Sequence, residues 1–146
     1  MPADLEPETR DLYRHFLPIP TRWMDNDAYG HVNNVVYYSY VDTVVNRYLI
    51  DAGGLDIRDG PVIGIVVESR CRYHAPVAFP ETLEGALRVG HLGTTSVRYE
   101  VALFRVGDAT AAATAHFVHV FVDRESRRPV PIPPELKAAL ERLVVI

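Results

Sequence analysis

The sequence predicts an α+β fold in which a curved antiparallel sheet wraps around one long central helix. One segment, residues 35–54, is long and repeats its apolar residues near the helical period. Four later segments, rich in β-branched and aromatic residues, follow one another with short turns between them. Successive strands joined by short turns are expected to pair antiparallel, so the helix should lie against a single sheet.

The first predicted elements are a strand at residues 17–24 and the long helix at 35–54. Prolines stand at the start of the strand, where a missing N–H costs least. Gly53 and Gly54 provide a C-terminal stop for the helix. Because the helix is apolar on more than one face, we expect other structure to enclose most of it.

The remaining elements are four strands and a terminal helix. The strands are predicted at residues 61–79, 81–93, 94–107 and 110–123. The helix covers residues 134–143, with Pro133 and Pro134 at its start, where proline is tolerated. No repeat, low-complexity tract or linker interrupts the chain, so residues 1–146 are predicted to form one domain.

Composition restricts the partners of this chain. Its 146 residues carry a net charge of −4 without a strongly basic stretch, which argues against nucleic acid and anionic membranes. No apolar run is long enough to span a bilayer, and the acidic first residues do not resemble a signal peptide. With Cys71 as the single cysteine, no intrachain disulfide can form, and we expect a cytoplasmic protein.

The segment DNDAYGHVNN, residues 25–34, concentrates functional groups just before the long helix. Asp25, Asp27 and Gly30 match positions 1, 3 and 6 of a calcium-binding EF-hand loop. Tyr29 and Val36, however, occupy positions that need oxygen ligands, and a strand precedes the loop instead of a helix. These departures argue against calcium.

Two other structural interpretations remain for this segment. Asp25, Asp27 and His31 are suitable metal ligands, but no second His or Cys cluster completes a coordination shell, so no metal is predicted. Alternatively, Gly30 permits a tight turn and Asn33 or Asn34 caps the helix. This capping role does not explain why so many functional groups gather here.

A catalytic interpretation uses the same geometry. The first residues of a helix offer unpaired N–H groups and a partial positive charge, which would polarise a carbonyl and stabilise an oxyanion. A carboxylate shortly before the helix would attack that carbonyl or direct a water at it. Acyl transfer and hydrolysis need both parts.

Residues 22–44, RWMDNDAYGHVNNVVYYSYVDTV, carry a family resemblance. They resemble the hot-dog-fold acyl-CoA thioesterases related to 4-hydroxybenzoyl-CoA thioesterase, in the branch with a D-x-D-x-x-G-H-V-N-N signature. RYHAPVAFPETLEG, LGTTSVRYEVAL and VFVDRESRRPVPIP give further matches, so the similarity spans most of residues 18–135. The first motif is specific, and the later ones support it.

The resemblance implies a hot-dog fold and hydrolysis of an acyl-CoA to a free acid and CoA. By position, Asp27 matches the catalytic carboxylate, as nucleophile or general base, and the N–H of Asn34 matches the group that polarises the thioester carbonyl. Gly30 matches the turn glycine, while His31 and Tyr37 are expected to line the substrate site. No cofactor is implied, since CoA is part of the substrate.

Other features of the resemblance concern the coenzyme and the assembly. Thr94, Thr95 and Ser96 fall where similar enzymes have small hydroxyl residues near the coenzyme, although a turn alone would also explain them. A homodimer or homotetramer with sites at the subunit interface is implied. Asp42 stands where the family usually has Glu, which keeps the charge and shortens the reach.

Three strand arginines, Arg70, Arg72 and Arg98, have the chemistry to meet CoA phosphates, but a solvated strand face is the simpler explanation for each. Two other functions stay open on this sequence. One is an enoyl-thioester hydratase or dehydratase that uses Asp27 and His31, and the other is a non-catalytic acyl-CoA-binding module. The acyl group, and the choice between CoA and acyl carrier protein, are not determined.

Overall fold

A computed structural model describes residues 8–145, which form one five-stranded antiparallel sheet with a long helix on one face. The strands are β1 (His15–Pro20), β2 (Val62–Tyr73), β3 (Thr82–Leu92), β4 (Ser96–Arg105) and β5 (Ala113–Asp123). The helices are α1 (Asn34–Asp51) and α2 (Pro134–Glu141), and short 3₁₀ turns lie at Arg10–Leu12 and Trp23–Asp25. The predicted architecture of a sheet around one long helix is confirmed.

The strand order is β1-β3-β4-β5-β2, and this order corrects one expectation. β2 and β3 follow each other in the chain but do not pair, because residues 74–81 return across the sheet instead of forming a tight turn. β2 therefore becomes an edge strand that pairs with β5 alone. The other consecutive pairs, β3–β4 and β4–β5, are antiparallel neighbours as predicted.

Element boundaries show a second correction. The strand predicted at residues 17–24 spans His15–Pro20, and the chain then turns through the 3₁₀ segment Trp23–Asp25. This turn begins the loop that carries the functional motif. The long helix starts one residue before its predicted start and ends at Asp51, just ahead of Gly53 and Gly54.

The main core lies between α1 and the face of the sheet that it covers. The buried residues of α1 are Tyr37, Tyr40, Val41, Val44, Val45, Tyr48 and Leu49. Gly85 of β3 allows close approach, because a Cβ there would collide with Val44. The opposite side of α1 is open, with Val35 68% and Tyr38 39% exposed, so this single chain does not enclose the helix as expected.

A second, smaller cluster lies on the outer face of the sheet, away from α1. It consists of Tyr13, Ala86, Ala102, Phe104 and Ala111. The segment that precedes β1 therefore packs across the outer face through Tyr13, and this segment shapes a cleft that is described below.

Candidate active site at the start of the long helix

The loop between the 3₁₀ turn at Trp23–Asp25 and α1 folds back on itself as a short hairpin. Asn26 and Val32 pair as an antiparallel bridge, and the Asp27 N–H donates to the His31 carbonyl over 2.9 Å. At the tip, the Gly30 N–H donates to the Asp27 carbonyl over 3.1 Å. Gly30 has a φ of +84°, a conformation that favours glycine, so its predicted turn role is confirmed.

Asp27 lies at the base of this hairpin and is only partly buried. Its Oδ1 accepts a hydrogen bond from the Tyr29 N–H over 2.8 Å, which fixes the side chain against its own turn. Within residues 8–145, Oδ2 accepts no hydrogen bond and makes no ion pair. One carboxylate oxygen is therefore held in place while the other stays available for chemistry.

Asp25, two residues earlier, has the opposite environment. It is 1% exposed, and its carboxylate accepts hydrogen bonds from the Tyr40 hydroxyl and the Arg22 N–H and pairs with the Arg22 guanidinium at 3.0 Å. Burial alone would raise the pKa of Asp25, but these bonds lower it overall. Its carbonyl also accepts from the Asn33 N–H over 2.9 Å. Asp25 thus anchors the loop to α1.

The first turn of α1 leaves one backbone donor without an acceptor. The side chain of Asn33 caps the helix by accepting from the Val35 N–H over 3.0 Å, and the Asn33 carbonyl accepts from Val36 over 2.9 Å. The cap is therefore Asn33, and Asn34 is the first helical residue. In the described part of the chain the Asn34 N–H has no hydrogen-bond acceptor.

An open cleft of about 300 Å³ adjoins this helix start. Its walls include His31, Asn34 and Tyr37 from the motif and helix, together with Tyr73 and His74 from the end of β2. His31 and Tyr37 thus lie where substrate-lining residues were predicted. Asp27 and Gly30 do not line the cleft, but the Asp27 N–H donates to the carbonyl of His31, which does.

The predicted coenzyme residues lie at the opposite end of the sheet from this cleft, with Thr94 and Thr95 in the β3–β4 turn and Ser96 at the start of β4. Tyr73, at the cleft, pairs with Ala113, whereas Ser96 pairs with Val120 on the same strand. Seven residues at about 3.3 Å each separate the two levels by about 23 Å. Within one chain these hydroxyl residues and Asp27 are not brought together.

Asp42 faces away from the cleft, on the exposed side of α1. Its Oδ1 accepts from the Asn46 side chain over 2.9 Å. With Tyr38, Val66 and Ser69 it lines a separate cavity of about 400 Å³ between α1 and β2. Asp42 is therefore not part of the helix-start cleft.

Some contributors to the site were not identified from the sequence. The Tyr73 hydroxyl donates to the Asn34 carbonyl over 2.9 Å, and the Asn26 side chain accepts from the Phe79 N–H over 3.0 Å. Both contacts join the motif to a segment about 40 to 50 residues away. No local pattern reveals such pairs, although RYHAPVAF within the resemblance contains Tyr73.

Neither a metal cluster nor a membrane-spanning helix is present in the described residues. No group of three or more His, Cys, Asp or Glu side chains among residues 8–145 is arranged to hold a metal ion. No helix in that range combines the length and apolar character needed to cross a bilayer. Chemically, the arrangement offers a free N–H at a helix start and a nearby carboxylate, as a carbonyl substrate requires.

Comparison with known proteins identifies a family and a fold. The model of a family described as the thioesterase-like superfamily matches residues 21–140. Among proteins with curated descriptions, none matches this sequence significantly. The family match covers the functional motif, α1, strands β2 to β5 and all but the last residue of α2.

Solved structures give close matches. PA5185 of Pseudomonas aeruginosa strain PAO1 is 59% identical, with 95% of this chain and 97% of that chain covered and a TM-score of 0.94. PA2801 of the same species is 32% identical, with 88% and 97% covered and a TM-score of 0.80. Slr0204, a 1,4-dihydroxy-2-naphthoyl-CoA thioesterase from Synechocystis, is 16% identical, with 86% and 93% covered and a TM-score of 0.77, a likeness of fold.

Proposed function

Since this chain belongs to the thioesterase-like superfamily, we propose that it is an acyl-CoA thioesterase that uses Asp27 and the N–H of Asn34. The observation that carries the proposal is the unpaired Asn34 N–H beside an open cleft, with Asp27 on the loop before it. Thioester hydrolysis is the chemistry of the family, while the acyl-CoA substrate and the residue roles are our proposal.

The thioester carbonyl would accept a hydrogen bond from the Asn34 N–H. This donor lies at the positive end of an 18-residue helix, so the negative charge that develops on the carbonyl oxygen is stabilised there. The donor is fixed before substrate arrives, because the Asn33 side chain caps this first turn of the helix and the Tyr73 hydroxyl donates to the Asn34 carbonyl. Such preorganisation favours the transition state over the ground state.

Asp27 would supply the second function through its free Oδ2. As a general base it removes a proton from a water that attacks the acyl carbon. The C–S bond then breaks, and the thiolate leaves with the bonding electron pair. As a nucleophile it attacks the same carbon, thiolate departs, and water hydrolyses the resulting mixed anhydride. A thiolate is a good leaving group, so neither route needs a strong general acid.

A second copy of the chain would complete the site. β2 is a 12-residue edge strand whose outer side pairs with no strand among the described residues, and it exposes Val66, Val67 and Tyr73. A long apolar edge of this kind is usually covered by another element. We propose that two β2 strands pair antiparallel about a two-fold axis, which would form the expected homodimer and would also cover Val35 and Tyr38 of α1.

Such a dimer also gives Thr94, Thr95 and Ser96 a place in the site. Antiparallel β2 pairing sets the Tyr73 end of one chain beside the Val62 end of its partner. The β3–β4 turn lies at the Val62 end of its own sheet, so a partner's turn would approach the cleft at Asn34. We therefore propose that these hydroxyl residues serve the site of the other subunit.

The test is thiol release from a panel of short, long and aromatic acyl-CoAs. We expect the wild-type protein to release CoA thiol, and Asp27→Asn and Asp27→Ala to lose that activity. Asp51→Asn is the matched control, because it neutralises an exposed carboxylate at the far end of α1 and should retain activity. Wild-type turnover in both Asp27 variants would refute the role of Asp27, and binding of every acyl-CoA without thiol release would refute the enzyme.

A further inference from the structure

The outer face of the sheet, opposite α1, has a small cleft with four guanidinium groups around it. The cleft has a volume of about 140 Å³. The four side chains come from three strands: Arg70 and Arg72 from β2, Arg88 from β3 and Arg98 from β4. We call this feature the arginine cleft.

Strand register explains why these distant residues meet. Arg88 pairs with Glu100, Glu100 with His116, and His116 with Arg70, so four strands contribute a residue at one level. Side chains at paired positions share a face of the sheet. Their neighbours Leu87 and Val101 pair beside them and point into the core against α1, so the arginine cleft lies on the other face.

Two carboxylates in the arginine cleft, Glu8 and Glu100, orient the guanidinium groups of Arg88 and Arg98. Glu100 pairs with Arg88 at 2.7 Å and with Arg98 at 3.2 Å, and Glu8 pairs with Arg88 at 3.1 Å. Among the described residues Arg70 has no carboxylate partner, so the arginine cleft keeps positive charge in a chain of net charge −4.

Two of the arginines keep donors for a ligand. Arg98 uses its Nε toward Glu100, and its terminal nitrogens donate to no side chain or carbonyl within residues 8–145. The Arg70 side chain makes no hydrogen bond or ion pair in that range. His116 stands between them, and its pKa is lowered by burial and by Arg98, so its ring adds no charge at neutral pH. Glu68, next on this face of β2, is the nearest further carboxylate.

We propose that the arginine cleft binds a phosphate-type dianion, either free phosphate or the phosphomonoester end of a larger ligand. Guanidinium forks recognise tetrahedral oxyanions through paired N–H donors. The cleft volume equals that of about four to five waters at about 30 Å³ each, which fits a five-atom oxyanion. The arginine cleft and the helix-start cleft share no lining residue, so this anion site is distinct from the proposed thioester site.

Calorimetric titration of the full chain with inorganic phosphate tests the proposal, with sodium chloride of matched ionic strength as reference. We expect saturable binding of phosphate, and about tenfold weaker binding in Arg70→Gln and in Arg98→Gln. Arg70→Gln removes no ion pair, so it should fold as the wild type does. Arg47→Gln, which removes an exposed arginine of α1 paired with Asp51, is the control that should bind as the wild type does.

Two further titrations, with CoA and with 3′-dephospho-CoA, identify the source of the anion. If CoA binds more tightly than 3′-dephospho-CoA, and Arg70→Gln abolishes the difference, the occupant is the phosphomonoester of a larger ligand. Equal binding of the two compounds, with phosphate binding intact, assigns a free oxyanion. The proposal is overturned if phosphate and chloride act alike, or if both arginine variants bind phosphate as the wild type does. None of these titrations measures thioester hydrolysis, so a failure of anion binding is distinct from a failure of the proposed thioesterase activity.

Discussion

Replacing Asn34 by proline removes one backbone N–H while preserving the start of α1. Proline is favoured at the first helical position, and the preceding Asn33 has φ −61° and ψ 138°, the conformation that a residue before proline prefers. The Asn34 N–H makes no hydrogen bond that stabilises the fold, because it has no acceptor among the described residues. The substitution therefore tests the proposed carbonyl contact with little expected loss of stability.

The magnitude follows from how few donors the site offers. Asn33 already engages the N–H groups of Val35 and Val36, so within residues 8–145 the Asn34 N–H is the one donor of this turn without an acceptor. Loss of a single oxyanion donor typically lowers kcat by about 10² to 10³, or about 3 to 4 kcal/mol of transition-state stabilisation. Because the contact strengthens as charge develops, kcat should fall much more than KM changes.

Asn34→Ala is the matched control, since it removes the same side chain and keeps the N–H. Thiol release by both variants would be compared across substrate concentrations, with thermal unfolding followed by circular dichroism. We expect Asn34→Ala to keep kcat within about threefold of the wild type, because the exposed amide has no assigned part in the chemistry. If folded Asn34→Pro were as active as Asn34→Ala, the helix start would not polarise the carbonyl.

Three further predictions concern burial, loop support and assembly. Burial lowers the pKa of His119 from 6.5 to about 4, so the unfolded chain binds more protons and stability falls as pH drops from 6.5 toward 4. Between pH 7 and pH 5 the contribution of His119 is about 2 kcal/mol, so the loss of stability in urea unfolding should be about 2 kcal/mol smaller in His119→Asn than in the wild type and in the exposed control His91→Asn. Tyr40→Phe removes a buried donor to Asp25, so we expect a loss of about 1 to 3 kcal/mol in chemical unfolding, against little change in Tyr38→Phe; equal stabilities would contradict the anchoring role. In sedimentation, Val67→Lys should shift the expected dimer toward monomer while Val106→Lys does not, and a dimer unaffected by Val67→Lys argues against the β2 edge as the interface.

Local sequence patterns predict much of the fold, because helix and strand periods act over neighbouring residues. The sequence predicts the long helix within a few residues of its bounds, Asn34–Asp51, because its apolar repeat and the glycines after it are both local signals. The sequence predicts the order of the strands less well, because the connection at residues 74–81 places β2 at the edge of the sheet, beside β5. No period encodes which non-adjacent strands will pair.

The candidate site shows the same difference between local features, which the sequence predicts, and contacts between distant residues, which it does not. The turn at Gly30 and a cap at the helix start follow from local chemistry, although the sequence left the cap open between Asn33 and Asn34. The contact of Tyr73 with Asn34 joins residues 39 positions apart, so it depends on the folded sheet. The roles of Asp27 and Asn34 came from the family resemblance, and they stay predictions until the variants are measured.

Burial explains how two aspartates in one short motif can serve different purposes. Asp25 is enclosed, and both of its carboxylate oxygens are engaged by Arg22 or Tyr40, so it has no lone pair directed at a substrate. Asp27 keeps one oxygen free and is partly open to solvent. A nucleophile or base needs that freedom, whereas a loop anchor needs the opposite. The carboxylate that stabilises the loop therefore holds the neighbouring carboxylate and the helix start in the arrangement that hydrolysis requires.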